Sequence, residues 1–243
     1  MSAPYLSIVV PAFNEERRIG HCAGRLAEYF RKRKNRFEII VVNDGSSDAT
    51  AEAAKAAARR VRELRLVTYA RNRGKGHALR KGVLASRGSR ILFLDADLST
   101  KPEEWPKLEA RLNRGAKLAI GSRKMAGADL VQHQPWWRES MGKVFTWLVR
   151  SLVVEVSDVT CGFKALDGKS GRALFASQVI DGWSFDAEIL FIAARRNLRV
   201  DEVPVQWKDN PNSKVRIVQA TLGALWGIAR IRWNASQGVY DPK

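Results

Sequence analysis

Hydrophobic and polar positions alternate in blocks along the first half of the chain. Short apolar runs, LSIVVPAF (6–13), FEIIVVND (37–44), LRLVTYA (64–70), RILFLDAD (90–97) and KLAIGSR (117–123), are nearly continuous, the pattern of strands buried on both faces. Between them, residues 15–33, 49–63, 76–86 and 102–113 carry helical periodicity, the second opened by the capping-type SSDAT. This alternation predicts an α/β architecture, a mostly parallel sheet with right-handed crossovers and helices on both faces. Ligands bind such sheets beyond the carboxyl ends of the strands. Four of the five predicted strands end there in polar side chains: Asn14-Glu15, Asn43-Asp44, Asp95-Asp97 and Ser122-Arg123.

Past residue 124 the pattern changes. The stretch 132–156, QHQPWWRESMGKVFTWLVRSLVVEV, is rich in Trp and basic-amphipathic. A helical pattern over 185–198, a strand-like RVDEVPVQW (199–207) and a last helical pattern over 214–233 follow. Without an internal repeat or a low-complexity linker, the reading is one domain over 1–243, with interfacial or acceptor-binding helices around 132–156 and 214–236.

Charge narrows the partners. With 42 Lys and Arg against 25 Asp and Glu the formal charge is +17, so the expected partners are anionic: nucleic acid, an acidic membrane surface or phosphorylated substrates. The basic residues are dispersed and no nucleic-acid-binding signature accompanies them, so nucleic acid is not the expected partner. Cys22 and Cys161 are far apart and in no metal-ligand spacing, which fits reduced thiols in a cytoplasmic chain. No apolar stretch reaches the roughly 18 residues of a membrane span, so attachment to a membrane would be peripheral.

Three stretches could carry chemistry. Asp95-Ala96-Asp97 sets two carboxylates after a strand, where they can converge on Mg²⁺ or Mn²⁺ and leave coordination positions for substrate phosphates; the same pair could equally be a solvated strand end or a helix cap. VVNDGSSDAT (41–50) would present Asn43, Asp44 and helix N–H groups to a polar ligand, or serve only as a capped turn. ARNRGKGHALRKG (70–82) brings Arg71, Arg73 and Lys75 to a glycine-rich loop without the Walker A spacing, so it is either a phosphate-facing loop or simply a basic one. His21, His77 and His133 form no metal or triad pattern. Trp136, Trp137, Arg138, Lys143, Trp147 and Arg150 suit either a core helix or one lying on anionic lipid.

Taken in order, SIVVPAFNEERRI, EIIVVNDGSSDAT, RNRGKGHALRKG, ILFLDAD, GSR, DVTCGFKAL and WSFDAEILFIA resemble family 2 glycosyltransferases, most closely the dolichyl-phosphate glucose and mannose synthases. The resemblance runs from about Leu6 to Lys214. It implies a GT-A fold, a nucleotide-sugar donor, a divalent cation (Mg²⁺ or Mn²⁺) and a dolichyl or polyprenyl phosphate acceptor at the cytoplasmic face of a membrane. By matching motifs, Pro11, Ala12, Asn14, Glu15 and Asp44 would hold the base and ribose, with Lys75 and Ala96 near the donor. Asp95 and Asp97 would take the metal, and Arg123 and Arg138 the acceptor phosphate. Asp158, Asp186, Ser213 and Lys214 would complete the pocket.

A phosphate acceptor is already anionic near neutral pH, so no general base is nominated; the catalytic residues are Asp95, Asp97 and Arg123. Inversion to a β-linked product is implied. Two departures from the mannose synthases, Ser99 where they carry a Gln near the metal and Asn210 where they carry an Arg, favour UDP-glucose over GDP-mannose. The competing expectations are a glycan or protein acceptor, a basic nucleic-acid-binding protein, and an inactive nucleotide-sugar binder, which the Asp95/Asp97 pair argues against.

Overall fold

The computed structural model describes residues 3–125, 156–208 and 217–241, of which 217–225 are described by backbone alone. The expected 132–156 segment, with Arg138, lies outside the described residues apart from Val156, as do Ser213 and Lys214.

Seven strands form one sheet: β1 (Leu6–Ala12), β2 (Phe37–Asp44), β3 (Leu64–Tyr69), β4 (Arg90–Phe93), β5 (Leu118–Ser122), β6 (Lys164–Asp167) and β7 (Val200–Pro204). Their order is β3-β2-β1-β4-β6-β5-β7. Every neighbouring pair is parallel except those made by β6, which runs antiparallel to both β4 and β5. The helices are α1 (Ile19–Arg31), α2 (Thr50–Arg60), α3 (Lys75–Ala85), α4 (Trp105–Asn113), α5 (Gly168–Ser177), α6 (Phe185–Arg195) and α7 (Ile217–Ser236).

Successive side chains of a strand point to opposite faces, and here both faces are covered. Ile8 and Val10 pack with Leu26, Phe30 and Trp105 on one side. Val9, Ile40 and Val42 pack with Leu79, Phe93, Phe175 and Phe185 on the other. This two-sided burial is why the strands read as unbroken apolar runs.

The structure corrects the sequence reading at three places. Helix α1 begins at Ile19 rather than at 15, because Asn14 sits at φ 55° and residues 15–18 form a turn, with Glu15 N donating to Thr50 Oγ1 at 2.7 Å. The fourth strand ends at Phe93, and the chain leaves the sheet before the two aspartates. The antiparallel strand β6 and helix α5 were not expected at all. Because β6 runs backwards, its first residue, Lys164, pairs with Phe93 and Ile120, which brings the CGFK stretch to the edge where the parallel strands end.

Candidate active site

The predicted residues that the structure describes lie toward the carboxyl edge of the sheet. Pro11 and Ala12 close β1, and Asn14 follows in a left-handed conformation, its Oδ1 accepting from Ser47 N at 2.9 Å. This ties the loop after β1 to the loop after β2. Glu15, beyond it, pairs with Arg18 at 3.2 Å.

Asp44, at the end of β2, is almost wholly buried. One carboxylate oxygen accepts from Tyr69 Oη (2.9 Å) and Arg73 N (2.8 Å), the other from Asn72 Nδ2 (2.8 Å) and Gly74 N (2.9 Å). The carboxylate therefore shapes the 72–74 loop, and through it sets the position of Lys75, the first residue of α3. Gly74, at φ 105°, sits against the backbone of Asp181, which leaves no room for a side chain.

The Lys75 ammonium lies 2.6 Å from Asp95 Oδ1 and 5.4 Å from the centre of the Trp183 ring. Burial works against its charge, but Asp95, then Asp186, outweigh that and hold its pKa above the ordinary value. The other oxygen of Asp95 rests against the Cα of Gly162, where a Cβ would collide with the carboxylate. Gly162 is thus the small residue that lets β6 pass behind Asp95. Ala96 is buried, Asp97 Oδ1 accepts from Ser99 N at 2.9 Å, and Leu98, at φ 54°, turns the chain. Cys22 lies beneath this edge: burial first, then the fields of Asp97, Asp95 and Glu15, push its thiol far upward, so it stays protonated and is no nucleophile.

Arg123 follows β5. Its Nε and Nη2 donate to the two oxygens of Asp158 at 2.7 and 2.8 Å, its backbone N donates to Asp158 Oδ2 at 3.0 Å, and Nη2 also reaches Thr160 Oγ1 at 3.0 Å. The guanidinium lies 5.3 Å from the centre of the Trp207 ring. Among the described residues Nη1 has no hydrogen-bond partner, which leaves one donor edge for an anion. Asp158, expected in the pocket wall, is fully buried and acts by positioning this arginine.

Burial alone would raise the Asp158 pKa, but the Arg123 charge and hydrogen bonds bring it down to about 2 from an ordinary 3.8. A carboxylate depressed in the folded state adds stability above its unfolded pKa and loses it as pH falls through the folded one. We expect the unfolding free energy of wild type to fall more steeply between pH 4 and pH 2 than that of Asp158→Asn, both followed by urea denaturation. Parallel pH curves would contradict the assignment.

Beneath the cleft lies a second pair that sequence reasoning half missed. Asp186, expected in the pocket, is bound by Lys164 Nζ at 2.5 Å, and the same ammonium donates to Cys161 O at 2.5 Å and lies 5.7 Å from the centre of the Phe93 ring. Lys164 was legible only as a letter in CGFK. Its partner is 22 residues away in sequence, and no local spacing announces the contact. Trp183, 58% exposed beside Lys75, was also missed; a large exposed aromatic next to a half-buried cation is the signal that would have found it.

The chain is similar to known glycosyltransferases in sequence and in fold. The family described as glycosyl transferase family 2 matches residues 7–165. A dolichyl-phosphate beta-glucosyltransferase of Trichomonas vaginalis is 38% identical over 89% of this chain and 67% of its own length. The Homo sapiens dolichyl-phosphate beta-glucosyltransferase is 34% identical over 86% of this chain and 69% of its own. Among solved structures, glucosyl-3-phosphoglycerate synthase from Mycobacterium tuberculosis in complex with UDP superposes with a TM-score of 0.68 at 20% identity, covering 94% of this chain and 80% of that one. Mannosyl-3-phosphoglycerate synthase from Rubrobacter xylanophilus gives 0.73 at 18% identity, over 97% and 75%. The mostly parallel mixed sheet is the GT-A arrangement, and the chain belongs to glycosyl transferase family 2.

Proposed function

We propose that this enzyme transfers glucose from UDP-glucose to dolichyl or polyprenyl phosphate, with inversion, while attached peripherally to the cytoplasmic face of a membrane. The observation that carries the reading is the likeness, along 89% of the chain, to a dolichyl-phosphate beta-glucosyltransferase. The charge arrangement at the sheet edge supports it. A nucleoside diphosphate leaving group and a phosphate nucleophile crowd negative charge into one cleft, and Asp95/Asp97, Lys75 and Arg123 are placed to manage that charge.

The residues present fit a divalent cation. No group of three or more His, Cys, Asp or Glu residues gathers as a metal site among the described residues, and the protein donors proposed from those residues are Asp95 and Asp97. Two carboxylates suit Mg²⁺ or Mn²⁺, hard ions that keep several positions for water and phosphate oxygens. When bound there, such an ion neutralises charge building on the departing diphosphate. Pro11, Ala12, Asn14 and Glu15 form the wall proposed for base and ribose. Asp44 shapes the adjoining loop, its carboxylate oxygens already engaged. Arg123, with Arg138, Ser213 and Lys214, is proposed for the acceptor phosphate. The nucleophile arrives deprotonated, so these cations need only orient it toward the anomeric carbon.

Helix α7 offers the membrane contact. Ile228 and Ile231 are buried, whereas Trp226 and Trp233 are 71% and 67% exposed, and Arg230 and Arg232 are exposed with them. Gly227 lies so close to the Ser184 side chain that no Cβ fits between them, which packs α7 against the loop that carries Trp183. Among the described residues no helix is long and apolar enough to cross a membrane. Trp226→Ala/Trp233→Ala should weaken binding to anionic vesicles by about tenfold or more, and salt should release the wild type, since each basic residue near an anionic leaflet contributes ~1 kcal/mol. Salt-insensitive binding, or unchanged binding by the double variant, would remove α7 from the contact.

The donor is tested by a panel of labelled UDP- and GDP-sugars with a short polyprenyl phosphate and Mn²⁺. Label should enter the organic phase from UDP-glucose in preference to GDP-mannose; the reverse preference would overturn the donor assignment.

A further inference from the structure

We propose that Lys75 is a built-in competitor for the divalent cation. It neutralises Asp95 in the free enzyme and gives that carboxylate up only when metal and nucleoside diphosphate arrive together, so that the two bind cooperatively. The inference rests on the metal reading above and adds to it a reason for the order of assembly.

Three observations point the same way. The Lys75 ammonium is 2.6 Å from Asp95 Oδ1, its side chain is only 14% exposed, and the other Asp95 oxygen is backed by Gly162. A cation approaching Asp95, whose side chain is 41% exposed, therefore meets a carboxylate with one oxygen already bound to a positive charge. Lys75 is also the first residue of α3, and no acidic residue lies in that helix's first turn. A positive charge at a helix N-terminus opposes the helix dipole, so Lys75 is held there against the local field by its anionic partner.

The displaced ammonium has somewhere to go. Asp186 also stabilises its charge, and the Trp183 ring lies 5.4 Å away. An incoming diphosphate would supply a stronger anion for it. Metal alone must thus leave Lys75 to the field of Asp186 and the Trp183 ring, whereas metal with diphosphate gives it a new anionic partner in exchange for Asp95. The free-energy difference between these two cases is a coupling, and by linkage it appears equally in the affinity of either ligand in the presence of the other.

The test is the affinity for Mn²⁺, followed by the electron paramagnetic resonance of the free ion, with and without UDP, in wild type, Lys75→Met, Lys75→Gln and Asp95→Asn. Thermal unfolding of each checks that it is folded. Both Lys75 variants should bind Mn²⁺ alone about tenfold more tightly than wild type, with the enhancement by UDP reduced by a similar factor. Mn²⁺ affinity no higher than wild type in both variants, with the UDP enhancement unchanged, would overturn the proposal. Asp95→Asn separates the two readings: if it binds Mn²⁺ with UDP as well as wild type does, the metal assignment itself fails, whereas its loss of Mn²⁺ leaves the Lys75 variants to decide whether binding is cooperative.

Discussion

Asp95→Asn is expected to lower transfer to lipid phosphate by roughly a thousandfold or more, the scale of losing a preorganised charge contact to the developing leaving group. The substitution keeps the shape that rests against Gly162 and can still accept a hydrogen bond from Lys75, so the fold should survive. It removes the negative charge that balances Lys75 and that would share a cation with Asp97. Steady-state turnover with excess metal, read beside circular dichroism, measures it. Turnover within tenfold of wild type in a folded Asp95→Asn enzyme would mean that the leaving group is stabilised elsewhere.

Lys164→Met is expected to have the largest effect on stability. The ammonium is fully buried, and it is the salt-bridge partner of an Asp186 side chain that is 5% exposed. Burial already holds the Asp186 carboxyl above its ordinary pKa, with Lys164 opposing that rise. Removing one member of a buried pair leaves an uncompensated charge and costs about 3–5 kcal/mol. The sign with pH follows. A carboxyl whose folded pKa stands above its unfolded value destabilises increasingly as pH rises past the unfolded one, because folding then either keeps it protonated or buries it charged. Urea denaturation should therefore show a larger loss at pH 8 than at pH 5. Lys164→Met/Asp186→Leu, with neither charge, should recover much of that loss without recovering turnover, since Asp186 also supports Lys75. A loss independent of pH, or no recovery in the double variant, would show that packing rather than charge dominates there.

What the sequence made legible, and what it hid, divides along a physical line. Strands buried on both faces leave continuous apolar runs, so β1, β2, β4 and β5 and the polar residues that follow them could be placed from the hydrophobic pattern, as could the half-buried edge strand β3. Strand β6 could not. Its four residues, KALD, include a lysine whose burial depends on an aspartate in α6, and its direction reverses the parallel pattern on either side. Helix α5, GKSGRALFAS, carries two glycines that weaken its helical signal; it is opened by Asp167, whose side chain accepts from Ser170 N at 3.1 Å. The candidate site divides in the same way. Asp95 and Asp97 announce themselves as acids at a strand end in a basic chain. Lys75 and Arg123 were expected near the donor and the acceptor phosphate, but their pairing with Asp95 and Asp158, and the place of Gly162, appear only when the sheet brings distant loops together. Asp158 and Asp186 were placed in the pocket through resemblance, and the structure gives each a more specific position, as the buried anion that holds Arg123 and the one that receives Lys164.

On the proposed function a phosphate, already charged, is the nucleophile, and the cleft works by gathering and orienting charge with no general base. The most direct test offers the enzyme labelled UDP-glucose with either a polyprenyl phosphate or the matching polyprenol, in the presence of Mn²⁺. Labelled lipid is expected from the phosphate and none from the alcohol. Label on the alcohol, or none on the phosphate, would contradict it.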